Sequence, residues 1–126
     1  MSLNKILLIG NLGSDPEIRY TAAKKPIASF GLATNRRYKI EGQIHEETEW
    51  FRIVAFGRMA EVCSEYLKKG KSIFVEGRIR TRNWIDAAGM KHYRTEVIAE
   101  TLTMIGKRNG ESPAAMPAAT DDPEPF

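Results

Sequence analysis

The sequence predicts an all-β barrel with one α-helix and a disordered C-terminal tail. Three observations point there. Apolar residues recur at strand-like spacing in five separate stretches. One stretch between the third and fourth changes to a helical period. Beyond residue 106 no aromatic occurs until Phe126, and four of the six prolines collect there.

The elements can be justified in order. "NKILLIGNL" (4–12) is a short apolar run closed by glycines and "SDP", which reads as a buried strand. "PIASFGLATN" (26–35) puts Ala28, Phe30, Leu32 and Thr34 on one face, with Gly31 a candidate bulge or tight bend. "RRYKIEGQIHEE" (36–47) is polar around a Glu-Gly pair and is expected to be a long, mobile hairpin tip. "TEWFRIVAFG" (48–57) alternates Trp50, Arg52, Val54 and Phe56 against Phe51, Ile53 and Ala55. In "RMAEVCSEYLKKG" (58–70), Met59, Val62, Cys63, Tyr66 and Leu67 follow helical spacing. Lys68 and Lys69 fall in the expected last turn, and Gly70 is the stop signal. "KSIFVEGRIRTRNWI" (71–85) is a long fourth strand, "DAAGMK" a turn, and "HYRTEVIAETLTMIG" (92–106) a fifth strand.

Three strands, a helix and two strands is the element order of the five-stranded Greek-key barrel called the OB-fold, with its one helix between strands 3 and 4. Residues 1–106 form that domain. Residues 107–126 lack the apolar content to bury a core and read as a disordered acidic tail.

The chain has 126 residues, enough for one domain, and 42% of them are hydrophobic, an ordinary share for a globular protein. A lone Cys63 allows no internal disulfide and fits a reducing compartment. "ILLIG" is too short to span a membrane, has only Lys5 before it and no cleavage site after it. A secretory leader and a membrane association are therefore not expected. The net charge of +3 hides a split. Residues 1–108 hold 19 basic and 12 acidic residues, a net +7, while the last 18 hold four acids and no base. A basic body with an acidic tail points to a polyanionic partner.

The stretch "IRTRNWI" (79–85) carries that charge. Ile73, Val75 and Ile79 form the apolar row of this strand and are expected to face the core. Arg78, Arg80, Arg82 and Trp84 then face out. Trp50, Arg52 and Phe56 repeat the combination on the third strand, and Arg36, Arg37 and Tyr38 on the hairpin tip. Single-stranded nucleic acid exposes flat bases between phosphates. Stacking on an aromatic ring is sequence-tolerant and worth roughly 1–3 kcal/mol per base, while arginine serves the phosphates. A duplex reader instead needs a helix or ribbon offering polar groups to a groove, and the single helix carries Glu61 and Glu65 outward.

Catalysis has little support. His45 and His92 have no neighbours at metal-ligand spacing and read as loop or strand-edge residues. Cys63 sits on the apolar helix stripe. "GNLG" lacks the residues of a phosphate loop. Glu46, Glu47 and Glu49 read as hairpin charge rather than a cation site. No cofactor or metal is expected. The rival class is an OB-fold adaptor whose partner is protein, but such a module has no use for four exposed rings beside arginines.

At these residues the chain resembles the bacterial single-stranded DNA-binding protein family, over roughly residues 3–106 and the last six. The matching stretches are "NKILLIGNLGSDPEIRY", "FGLATN", "TEWFRIVAFGRMAEVCSEYLKKG", "VEGRIRTRNW" and "YRTEVIAE". The resemblance implies a homotetrameric OB-fold that binds single-stranded DNA with little sequence preference, in replication, recombination and repair. It places the stacking rings at Tyr38, Trp50, Phe56 and Trp84, with Tyr38 where a Trp is familiar. It places phosphate contacts at Lys5, Arg52, Arg58, Lys69, Arg80 and Arg82. Arg36 and Arg37 are added from charge, and Arg78 from its place in the stripe. Phe51 stands where a polar residue is familiar and is expected in the core or a subunit contact; exposed Phe74 is assigned to subunit contact. "DDPEPF" resembles the family's acidic tip, in which Asp121, Asp122, Pro125 and Phe126 would dock on replication and repair enzymes. Glu124 replaces an apolar residue there. The tail's charge also suggests that it competes with DNA for the basic face. The resemblance implies a cytoplasmic, nucleoid-associated protein.

Overall fold

The structure, a computed structural model, describes residues 1–105. The expected tail with its tip residues Asp121, Asp122, Pro125 and Phe126 lies outside the described residues. The elements run β1 (Ile6–Leu12), β2 (Glu17–Tyr20), β3 (Pro26–Ile40), β4 (Gln43–Phe56), α1 (Arg58–Tyr66), β5 (Ser72–Ile85) and β6 (Lys91–Met104). The sheet order is β1-β5-β6-β4-β3-β2, and β1 also pairs with β3. That extra pairing, Asn11 with Ala33 and Leu12 with Leu32, closes β1, β5, β6, β4 and β3 into a five-stranded barrel. Neighbours are antiparallel except β4 and β6, which meet in parallel at Ile53–Val97 and Val54–Ile98. The expected OB-fold is present.

The interior follows the alternation. Phe30, Leu32, Ile53, Ala55, Ile73, Val75, Val97 and Leu102 point inward, and α1 closes the core with Met59, Ala60 and Cys63. Phe51 packs against this core from its rim, as one of its two expected roles required. Burial pushes the Cys63 thiol up to about 12, so it stays protonated and chemically quiet.

Five local expectations are corrected. A sixth strand, β2, lines the edge of β3; its four residues are too few and too polar to show a period. Residues 36–47 are not a long tip, because β3 and β4 pair without a break from Ile27–Phe56 to Ile40–Gln43. Only Glu41 and Gly42 turn, at φ 51° and 81°. Two consecutive left-handed residues make the tight hairpin turn whose twist matches its strands. Gly31 sits in regular register opposite Arg52 and marks no bulge; the irregularity lies at Glu76/Gly77 instead. The helix ends at Tyr66 rather than Gly70, and its last turn holds no basic residue. Leu67 adopts an extended backbone and buries its side chain. Burial of that leucine terminates the helix ahead of the lysines, which occupy the turn that follows.

Ile79 is the fifth. It opposes core residue Val97, yet it is 42% exposed. Here β5 and β6 leave the barrel as a two-stranded arm, so the inward face no longer has a core beneath it.

Candidate nucleic-acid interface

Register decides which side chains share the barrel's outer face. On β4 these are Trp50, Arg52, Val54 and Phe56. Ladder pairing puts Ala33, Gly31, Ser29 and Ile27 of β3 beside them. On β5 they are Arg78, Arg80, Arg82 and Trp84, opposite Ile98, Glu96, Arg94 and His92 of β6. The two sets meet because β4 and β6 are joined at Val54–Ile98. Between them lies a groove of about 260 Å³, lined among others by Arg19, Arg52, Phe56, Arg80, Arg82 and Arg94. This is below the roughly 300–1,000 Å³ of an enclosed small-molecule site, and five of those six side chains are guanidinium cations.

Three of the four rings have an arginine over them. Arg82 and Arg94 place their guanidinium carbons 5.1 and 5.6 Å from the centre of Trp84. Arg80 lies 5.7 Å from Phe56, and Arg36 lies 5.1 Å from Tyr38. At these separations the ring and cation attract, and both offer flat surfaces. Trp50 is 62% exposed and rests over two glycines. A Cβ at Gly13 would come within 2.4 Å of the Trp50 ring, so only glycine leaves the indole room there. A Cβ at Gly31 would meet the same ring at 3.5 Å, an ordinary contact distance.

Glu96 is the acid inside this basic face. It is 2% exposed, and Arg52 Nε and Arg80 Nη2 donate to its two oxygens at 3.1 and 3.2 Å. A buried carboxylate demands such compensation. The same contacts fix two guanidiniums at the groove floor, and Arg80 is only 19% exposed as a result.

The expected residues do not all converge. Arg52, Phe56, Arg80 and Arg82 line the groove, with Trp84 and Trp50 flanking them on β5 and β4. Arg78 is on the same outer face, opposite Ile98. Tyr38 lies far out on the β3–β4 ribbon, and strand alternation puts it on the ribbon face opposite to Trp50. Arg36 and Arg37 pair with Glu47 and Glu46 there. Lys5 is bound to Glu76, which holds its pKa above the usual lysine value. Arg58 starts the helix and meets Glu61 at 3.5 Å. Lys69 lies in the turn after the helix, where its backbone N–H donates to Asp15.

Sequence reasoning missed Arg19, Arg94 and Glu96. His92 stands near the start of β6, as the strand-edge reading required, and His45, expected in the hairpin tip, lies near the start of β4. His45 opposes Tyr38 in the β3–β4 ladder and His92 opposes Trp84 in β5–β6. The signal for the β6 residues was present. A turn centred on residue 88 pairs residues whose numbers sum to 176, which sets Arg94 against Arg82 and Glu96 against Arg80. Asp86 secures that turn by accepting from the backbone of Ala88 and Met90 and meeting His92 Nε2 at 2.6 Å. The His92 contact, and then the Met90 N–H, hold the Asp86 carboxyl below its usual range.

Comparison with known proteins agrees with this geometry. Residues 3–105 match the Single-strand binding protein family. The chain belongs to the single-strand binding protein family. Family members are DNA-binding proteins rather than enzymes. Among curated relatives, Single-stranded DNA-binding protein 1 of Xylella fastidiosa (strain 9a5c) is 45% identical, over 96% of this chain and 96% of its own. Single-stranded DNA-binding protein 1 of Chlorobaculum tepidum is 47% identical, over 85% of this chain and 67% of its own. Among solved structures, the Plasmodium falciparum SSB in complex with ssDNA matches with a TM-score of 0.78 and 31% identity. That match covers 84% of this chain and 97% of the other. Among the described residues no cluster of His, Cys, Asp and Glu could hold a metal ion, and no helix is long and apolar enough to cross a membrane.

Proposed function

We propose that this protein binds single-stranded DNA with little sequence preference and shields it during replication, recombination and repair. The observation that carries the reading is the outer face of β4, β5 and β6. It sets Arg82 and Arg94 over Trp84, and Arg80 over Phe56. Bases stack on Trp50, Phe56 and Trp84, and on Tyr38 further along the β3–β4 ribbon. Phosphates fall to the arginines between the rings, with Lys5, Arg58 and Lys69 as outlying contacts on the strand's path. Arg52 and Arg80 act from fixed positions set by Glu96. Single strands suit this face because every base offers a π-surface that a duplex hides.

The working assembly is a homotetramer. Its support is an exposed apolar strip on β1, where Leu7 and Ile9 are 60% and 62% exposed. Phe74 stands opposite Ile9 on β5, next to the Lys5–Glu76 pair. Such a strip on a strand face marks a subunit contact. The tip at Asp121, Asp122, Pro125 and Phe126 recruits replication and repair enzymes, and the protein works in the cytoplasm on the nucleoid.

The test is an equilibrium titration with oligo(dT) and with duplex of equal length, at low and high salt. The expected outcome is tight binding to the single strand, weakening as salt rises because counterions are released, and little binding to duplex. Equal affinity for both would mean that the basic face attracts phosphate alone.

A further inference from the structure

We propose that His45 and His92 are proton-gated members of the single-strand interface, adding positive charge against Tyr38 and Trp84 as pH falls through the histidine range. The inference rests on the single-strand reading above and goes beyond it by assigning two residues and a pH dependence.

The chain holds two histidines, and each is the direct cross-strand partner of a ring in the stacking set. Each is also stacked on that ring. His45 lies 5.4 Å from Tyr38 at an interplanar angle of 18°, and His92 lies 5.3 Å from Trp84 at 17°. A neutral imidazole in that place buttresses one face of the ring, and an incoming base competes with the neighbouring arginines for the rest. An imidazolium does the same and adds a cation to the ring and a donor to a passing phosphate.

The surrounding charges determine what protonation changes. Around His92 stand Arg82 and Arg94 over the shared indole, Asp86 at its Nε2, and Lys91 and Tyr93 on either side in sequence. Asp86 cancels one of the three cations, so the cluster around Trp84 is net positive with His92 neutral and gains one further positive charge when His92 is protonated. Around His45 stand Arg36 and Arg37, paired with Glu47 and Glu46. Those four charges balance, so a protonated His45 adds one net positive charge to Tyr38. Among the described residues both stacked pairs sit on ribbon arms that pair with no third strand, so no other element masks the change.

Binding a polyanion favours the protonated form of each histidine. Affinity should therefore rise as pH falls from about 8 to about 6. Each histidine contributes about a twofold to fivefold gain, the range of an exposed ion pair. Each also steepens the log–log salt dependence by about 0.7, the increment for one phosphate neutralised on a single strand.

The experiment measures the affinity of the full chain for dye-labelled oligo(dT) by anisotropy at several pH values and salt concentrations. Thymine does not titrate in this interval. Variants are His45→Gln, His92→Gln, the double Gln variant and the double Arg variant. The readout is the difference between wild type and variants, so that protons taken up elsewhere cancel. The proposal expects each single Gln variant to lose part of the pH dependence and the double Gln variant to lose nearly all the histidine part. It expects the double Arg variant to bind at about pH 8 as tightly as wild type does at about pH 6. A double Gln variant with the wild-type pH profile and salt slope overturns the proposal while leaving the single-strand reading intact. Failure of the wild type to bind oligo(dT) at any pH overturns the single-strand reading instead.

Discussion

At the scale of single residues, the interface depends on what holds its arginines and rings still. Glu96 bridges Arg52 and Arg80 from a buried position. Glu96→Ala would strand two guanidiniums at the groove floor. A fully buried pair broken in this way loses about 3–5 kcal/mol; here Arg52 is still about one-third exposed, so a loss of about 2–3 kcal/mol is expected, read from the denaturation midpoint. Trp50 depends on Gly13 and Gly31 for its seat. Trp50 and Phe56 were legible in the sequence because they stand opposite the apolar row Phe51, Ile53 and Ala55, and Trp84 because it continues the row of Arg78, Arg80 and Arg82. Glu96 was not. An acid on a basic strand looks like solvated charge until the register sets it against Arg80. The seat at Gly13 was equally hidden, since the loop and the indole are 37 positions apart.

At the scale of elements, two hairpins carry the interface beyond the barrel. The β5–β6 arm is registered by the Asp86 turn, which holds two backbone N–H groups and His92. The Asp86 pKa is lowered in the folded state. Its stabilising contribution is therefore present above the unfolded value of about 4 and is lost as pH falls through the lower folded value. Asp86→Asn should melt below wild type near neutral pH, and the gap should close in acid; a gap unchanged at acid pH would contradict the charged role. The strands of the barrel were readable from their alternation. The hairpin between β3 and β4 was misread because polar residues on both faces of a ribbon give no buried row. In such a segment the ladder hydrogen bonds and the Glu41–Gly42 turn make the structure, and neither leaves a hydrophobic period. Ile79 fails for the opposite reason: its apolar row continues past the point where the core ends.

At the scale of the whole molecule, the outer surface divides into two parts of different chemistry. One part holds Leu7, Ile9 and Phe74 and suits contact with another copy. The other holds the arginines and rings. Leu7→Glu with Ile9→Glu should therefore reduce the assembly to smaller species by sedimentation while leaving the barrel folded by circular dichroism. An unchanged sedimentation coefficient would remove β1 from the subunit contact. The basic character of the domain was visible in the charge split of the sequence, but the division of its outer face was not, because Ile9 and Phe74 are 65 positions apart in the sequence and become neighbours only in the β1–β5 ladder.

The central claim is that bases stack on Trp84, the ring beside Arg82 and Arg94. The chain has two tryptophans, so Trp50→Phe leaves Trp84 as the only indole. The decisive measurement is the emission of that variant during titration with oligo(dT). The account predicts strong, saturable quenching that tracks binding and is reversed by high salt. Full binding with unchanged Trp84 emission would contradict it.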